Sequence, residues 1–260
     1  MTRLAVSRYG KEGPVLVLLH GLFGSGRNWM RIARRLSAEW RVMAVDLPNH
    51  GESGWTRTTD YRAMAEAVAA LLADEDLERV CLLGHSMGGK TAMTLALTQP
   101  QWLAGLVVAD IAPVAYNHGN LALIRAMQSL DLGRIVKRSD ADAALAGAVP
   151  EPGLRSFLLQ NLVLTAGRYR WQVNLDGLAA SIEAIQGFPQ TLLTHRFEGP
   201  TLFLAGAASH YVRRQDEPLI RQLFPHARLQ VVAKAGHWLH AENPEGFLAA
   251  LQPFLNEIPA

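Results

Sequence analysis

Cys81-Leu82-Leu83-Gly84-His85-Ser86-Met87-Gly88-Gly89 decides the fold: an apolar run stops at a glycine, turns through a serine, and opens onto a stretch with helical spacing. A serine on a tight strand-to-helix turn adopts a strained backbone, and side chains two residues before and after it collide unless those positions are small. Gly84 and Gly88 meet that demand. The turn lifts the Ser86 oxygen above the sheet, and the N-terminus of the following helix offers the Met87 N–H to a charge developing on a substrate oxygen.

The same residues satisfy a rival pattern. Gly84 to Thr91 reads G-H-S-M-G-G-K-T, a full match to the phosphate loop G-x-x-x-x-G-K-[ST], and LVVAD ends in Asp110, an apparent metal-binding aspartate. Flanking segments favour the serine chemistry. His20-Gly21 directly follows the run VLVLL, and the loop HGLFGSG can turn the Leu22 N–H toward an acyl oxygen as a second donor. As a dinucleotide loop this segment is weak, because it lacks the G-x-G-x-x-G spacing. Asp46-Leu-Pro-Asn-His-Gly-Glu-Ser53 follows RVMAV and reads as a structural loop whose Asp46 and Ser53 bond backbone groups. Ala235-Gly236-His237-Trp238 follows the last apolar run, LQVVAK, which places an imidazole at the carboxyl end of the sheet, the edge where Ser86 also sits. Ser86 as nucleophile then needs His237 as base and acid, and a carboxylate to hold the imidazole's other nitrogen.

Further out, short apolar runs at Val15 to Leu19, Val42 to Val45, Val80 to Leu83, Leu106 to Ala109, Thr201 to Leu204 and Leu229 to Val232 resemble strands buried on both faces. Helical stretches lie between several of them: Trp29 to Leu36, Tyr61 to Leu72 and Gly89 to Thr98, with a final amphipathic helix at Pro244 to Glu257. The alternation predicts an α/β fold with a mostly parallel central sheet flanked by helices. From about Pro113 to His195 the rhythm lapses into helical signals without a buried strand. Ser139 with Asp142 can start one helix, and Pro152 suits the first turn of another. The expectation is a core of residues 1–112 and 196–260 with an inserted helical cap at 113–195.

Composition narrows the function. The 260 residues are 49% hydrophobic and 18% charged, enough for a large core. The 25 basic and 23 acidic residues are interspersed, so no basic tract follows a phosphate backbone and nucleic acid is not an expected partner. Cys81 is the only cysteine, which excludes an intrachain disulfide and a thiolate metal site and fits a reducing cytoplasm. The first apolar run is too short for a signal peptide or a membrane span, so no membrane partner is expected.

Taken in order, H-G-L-F-G-S, D-L-P-N-H-G-E-S, G-H-S-M-G-G-K, D-I-A-P and A-G-H-W-L-H-A-E-N-P resemble the α/β-hydrolase superfamily, and closely its bacterial YbfF-type esterases, across the whole core. The resemblance implies an α/β-hydrolase fold with an inserted cap and hydrolysis of short acyl esters or thioesters through an acyl-serine, without metal or organic cofactor. In most relatives the acid follows the penultimate strand in a G-x-x-D turn. Here that turn is Gly206-Ala207-Ala208-Ser209, with no acidic residue between Gly199 and Gln215. The YbfF-type esterases are similar in using an aspartate of a D-I-A-P segment, which carries the role to Asp110; Asp216, expected within a helix, is the alternative.

Other residues take lesser parts. His20, Phe23, His85 and Trp238 are the candidate substrate-binding residues: His20 is also expected to fix its own loop, His85 to line the pocket or pack under the turn, and Phe23 and Trp238 to shape the acyl pocket. His240 ranks below His237. Trp29, Tyr169 and Trp171 are core by default. Lys90, on which the phosphate-loop rival depends, is otherwise a helix residue with a packed aliphatic stem. The same triad also serves carbon–carbon bond hydrolases and perhydrolases, and a non-catalytic binding protein is a further alternative; the natural substrate and oligomeric state stay open.

Overall fold

The computed structural model describes residues 2–116 and 119–258. Seven strands form one sheet: β1 (Val6–Tyr9), β2 (Val15–Leu19), β3 (Arg41–Val45), β4 (Val80–His85), β5 (Leu103–Ala109), β8 (Thr201–Gly206) and β9 (Ala227–Val232). Their spatial order is β1-β3-β2-β4-β5-β8-β9. Only β1 runs antiparallel to its neighbour; the rest pair in parallel. The apolar runs read from the sequence are these parallel strands, although β9, at the sheet edge, is not buried on both faces as expected, since Arg228, Gln230 and Val231 are exposed; the reason for the others is visible in β2. Its five residues are all buried, with Leu16 and Leu18 facing one core and Val15, Val17 and Leu19 the other. β1 was not anticipated, because an edge strand with an exposed middle carries no continuous apolar run.

Helices cover both faces. α1 (Met30–Leu36) and α10 (Pro244–Leu255) pack on one, burying Ile32, Leu36, Phe247 and Leu251 around Cys81. α2 (Tyr61–Asp74), α3 (Met87–Thr98) and α8 (Glu217–Leu223) pack on the other, through residues such as Met64, Val68, Met93 and Ile220. α3 begins at Met87 rather than Gly89, so helical geometry starts one residue after the serine.

Between β5 and β8 the chain forms α4 (Asn120–Gln128), α5 (Arg138–Leu145), α6 (Pro152–Leu158), a hairpin of β6 (Leu162–Thr165) and β7 (Arg168–Trp171), and α7 (Leu175–Gln186). Ile124, Met127, Leu145, Leu158, Leu178 and Ile182 of this insertion share one buried cluster with α2 and α3, so it has no separate core. The hairpin corrects the expectation of helices alone. Its turn, Ala166-Gly167, has φ of 49° and 76°, the two positive values that a two-residue hairpin turn demands. An alanine there gives no turn signal, and half-exposed strands give no buried run. Pro152 opens α6 as expected, after Glu151 accepts from Gly153 N at 2.8 Å. Ser139 does not start α5: the helix begins at Arg138, and Asp140 accepts from Lys137 N at 3.0 Å, while Asp142 holds Arg155 at 2.9 Å. Near the C-terminus a single turn, α9 (Leu239–Glu242), precedes α10, which starts from Asn243 with Pro244 in its first turn.

Candidate active site

Ser86 sits between β4 and α3 with φ 53° and ψ −116°. A non-glycine residue held there costs about 1–3 kcal/mol and persists only where its surroundings over-determine it. They do so here: Ser86 N donates to Ala109 O of β5, and Ser86 O accepts from Lys90 N, both at 3.0 Å. The flanking glycines are required by contact rather than by φ. A Cβ on Gly84 would stand 2.1 Å from Gly88 O, and one on Gly88 2.5 Å from Leu19 O.

Asp110 leaves β5 with φ 51° and is fully buried. Its Oδ1 accepts from Gly206 N at 2.9 Å, and its Oδ2 accepts from the Ser209 hydroxyl and meets His237 Nδ1 at 2.8 Å. A carboxylate can only accept, so in the neutral imidazole Nδ1 carries the hydrogen and Nε2 is the acceptor. That nitrogen lies 3.1 Å from Ser86 Oγ. Ser86, His237 and Asp110 are thus brought into one hydrogen-bonded chain across 151 residues of sequence. Asp216 serves elsewhere, accepting from Arg213 N at 2.9 Å ahead of α8. It closes a short 3-10 turn, Arg214–Asp216, instead of lying inside a helix.

The loop after β2 lies against the serine: a Cβ on Gly21 would be 3.2 Å from Ser86 Cβ. Leu22 and Met87 both border the cavity beside Ser86. Met87 is the first residue of α3, where a backbone N–H has no intrahelical acceptor. The loop is held from behind by histidines. His20 donates from Nδ1 to Gly21 O at 2.8 Å and accepts from Leu47 N through Nε2 at 2.9 Å, which fixes the loop and leaves neither nitrogen for a ligand, although the ring borders the cavity. His50, which the sequence did not single out, accepts from Phe23 N at 3.2 Å. That contact supports Phe23 at φ 62°. Asp46 accepts from Gly26 N at 2.6 Å and Glu52 N at 2.8 Å, and Ser53 donates to Asp46 O at 2.5 Å, the structural work expected of that segment.

Burial governs protonation nearby. It pushes His20 down to about 4, and His50 and His240 to about 3, because charging them would strip hydration that nothing replaces. His85 is held well below its ordinary range for the same reason, reinforced by the neighbouring His237. Its Nε2 meets His237 O at 2.8 Å, so it packs under the site as a neutral support. His240 stacks on Trp29 with ring centroids 4.4 Å apart, and lies too deep to replace His237.

These residues open on a cavity of about 630 Å³. Its wall is mostly apolar: Phe23, Met87, Ile111 and Trp238 from the core meet Leu123, Leu154 and Phe157 from the insertion. Trp238 faces Phe157 with centroids 5.5 Å apart. Tyr169 and Trp171 lie on β7 and pack against the main core. Three tyrosines of the cavity wall escaped the sequence. Tyr211 stacks flat on His237, 3.8 Å between centroids and 15° between planes, and Tyr61 and Tyr116 line the cavity. No motif marks an aromatic ring as a pocket residue, and the one available signal for Tyr211 was its nearness to the acid-free Ser209 turn.

The phosphate-loop reading fails on geometry. Lys90 Nζ donates to the carbonyls of Gln186 and Gly187, the Thr91 hydroxyl donates to Met87 O, and Asp110 is engaged by His237. None is free for a phosphate or its metal. Among the described residues no group of three or more His, Cys, Asp or Glu side chains is arranged to hold a metal ion. Nor is any helix of those residues long and apolar enough to cross a membrane.

Comparison with known proteins agrees with this architecture. The family model described as the alpha/beta hydrolase fold matches residues 14–244. An sn-1-specific diacylglycerol lipase of Mus musculus is 43% identical over 250 residues, covering 93% of this chain and 81% of the lipase. The esterase YbfF of Escherichia coli K12 is 35% identical over 246 residues, covering 93% of each chain. Among solved structures, a marine microorganism esterase superposes with a TM-score of 0.94 at 35% identity, covering 98% of this chain and 100% of its own. Matched along nearly its whole length, the chain belongs to the alpha/beta hydrolase fold family, resembles the YbfF-type esterases within it, and is a carboxylic ester hydrolase.

Proposed function

We propose that this protein cleaves small carboxylic esters or acyl thioesters through an acyl-serine intermediate, with Ser86, His237 and Asp110 as its triad. One observation supports this above all: the unbroken chain from Ser86 Oγ through the imidazole to a fully buried carboxylate, opening on an apolar cavity. As Ser86 Oγ bonds to the acyl carbon, its proton passes to His237 Nε2, and Asp110 stabilises the imidazolium that forms. The carbonyl oxygen becomes an oxyanion that accepts from the Leu22 and Met87 amides. Collapse of this intermediate breaks the bond to the alcohol or thiol, which leaves with the imidazolium proton. Water then repeats the sequence: its proton goes to His237, its oxygen to the acyl carbon, and the proton returns to Ser86 as the acid departs.

Residues 113–195 act as the cap in this reading, supplying Leu123, Leu154 and Phe157 to the acyl wall. The mouse relative's name adds acylglycerols to the substrates to test. A single buried cysteine fits a cytoplasmic, reducing setting. The experiment is fluorophosphonate labelling with peptide mapping, beside turnover of p-nitrophenyl butyrate by the parent and Ser86→Ala. Label on Ser86 and loss of turnover in the variant are expected; turnover that survives in Ser86→Ala would refute the nucleophile.

A further inference from the structure

Lys90 is a buried cavity residue with no part in the chemistry above. It lies on α3 four residues after Ser86, 1% exposed, on the cavity wall. Among the described residues no carboxylate forms an ion pair with it. Its Nζ donates instead to Gln186 O at 3.1 Å and Gly187 O at 2.5 Å, and stands 4.8 Å from the centre of the Tyr116 ring and 5.6 Å from that of Tyr61.

Those carbonyls end α7, where a helix has no donors of its own. Two core helices and the segment after β5 provide them. Tyr61 Oη of α2 donates to Ile185 O at 2.5 Å, Tyr116 N after β5 donates to Gln186 O at 2.9 Å, and Lys90 of α3 completes the set. Three consecutive carbonyls at the end of α7 are therefore tied to two core helices and to the segment that follows β5. An ammonium also complements the negative end of a helix, and two ring faces add to its attraction. Ile185 and Gln186 line the same cavity as Ser86, so these ties hold one of its walls.

Packing alone does not explain the choice of residue. An apolar chain of similar volume commonly replaces a buried charge without loss of stability. Burial lowers Lys90 to about 7, yet the neutral amine still keeps two N–H groups, one for each carbonyl. The tie thus survives deprotonation.

We propose that Lys90 is a positioning residue: by fastening the C-terminus of α7 to the helix that carries Ser86, it sets the depth of the acyl cavity and so the preferred acyl chain length. This rests on the esterase function proposed above. Parent, Lys90→Met, Lys90→Arg and Tyr61→Phe proteins are compared on p-nitrophenyl acetate, butyrate, hexanoate and octanoate, using preparations whose circular dichroism matches the parent. In Lys90→Met the octanoate-to-acetate ratio of kcat/KM is expected to rise about tenfold, the scale of a one-methylene change in an apolar pocket, and chiefly through KM. Lys90→Arg keeps donors and a charge and should move the ratio less; Tyr61→Phe removes the neighbouring tie and should shift it the same way. An unchanged ratio in folded Lys90→Met overturns the proposal. If that variant does not fold, an unchanged ratio in Tyr61→Phe does so. Failure of the underlying function has a different signature, since the parent itself would then neither turn over these esters nor accept the fluorophosphonate label.

Discussion

At the scale of single residues, Ser209, Asp110 and His237 form one hydrogen-bonded cluster. Ser209 stands where resemblance leads one to seek a carboxylate, and its hydroxyl donates to the Asp110 oxygen that also holds His237. Asp110→Asn is expected to cut kcat by about 10⁴-fold, as in a serine triad whose imidazole is left in the wrong tautomer, whereas Asp216→Asn loses only its turn cap. Steady-state kinetics on both variants decide it, and equal losses would unseat Asp110. Because Ser209 reaches the same oxygen, adding Ser209→Asp to Asp110→Asn should recover part of the lost turnover. Ser86 and His237 were legible because their turns impose local sequence demands: small neighbours for one, the end of the last strand for the other. Asp110 was reached only through resemblance. Tyr211, His50 and the destination of the Lys90 ammonium were not legible, since each acts across a tertiary contact that leaves no local pattern.

Among elements, the strand-turn-helix around Ser86 has the least freedom. At Gly88 a methyl group would meet Leu19 O and His20 O at 2.5 and 2.6 Å, backbone atoms that cannot swing aside. Gly88→Ala should therefore lower stability by about 1–3 kcal/mol, the usual cost of overpacking. Gly147, exposed after α5 with nothing within 4 Å of a Cβ, provides the contrast: Gly147→Ala should be neutral or slightly stabilising. Urea denaturation of the two variants checks both, and a Gly88→Ala protein as stable as its parent would remove the steric account of the turn. Central strands could be read because burial on both faces writes them as continuous apolar runs. The edge strand β1 and the β6–β7 hairpin escaped because half-exposed strands mix polar and apolar residues.

For the molecule as a whole, four buried neutral histidines make acid a threat. His20, His50 and His240 are pushed to about 4, 3 and 3 from an ordinary 6.5, and His85 lies well below it. Between 6.5 and those lowered values the unfolded chain binds protons that the folded one refuses, so stability falls as pH falls through this window. Each histidine contributes at most about 1.4 kcal/mol per pH unit. The melting temperature should drop steadily from pH near 7 to pH near 5, and a flat profile would mean that these rings are not held neutral.

Cys81 lies on β4, 1% exposed, its thiol pushed up to about 12 by burial. The thiolate is the form that alkylates, so at neutral pH a maleimide finds the native chain nearly inert. A dye placed through Gly147→Cys would then report from the insertion alone, so fluorescence can follow that segment without first deleting a natural thiol.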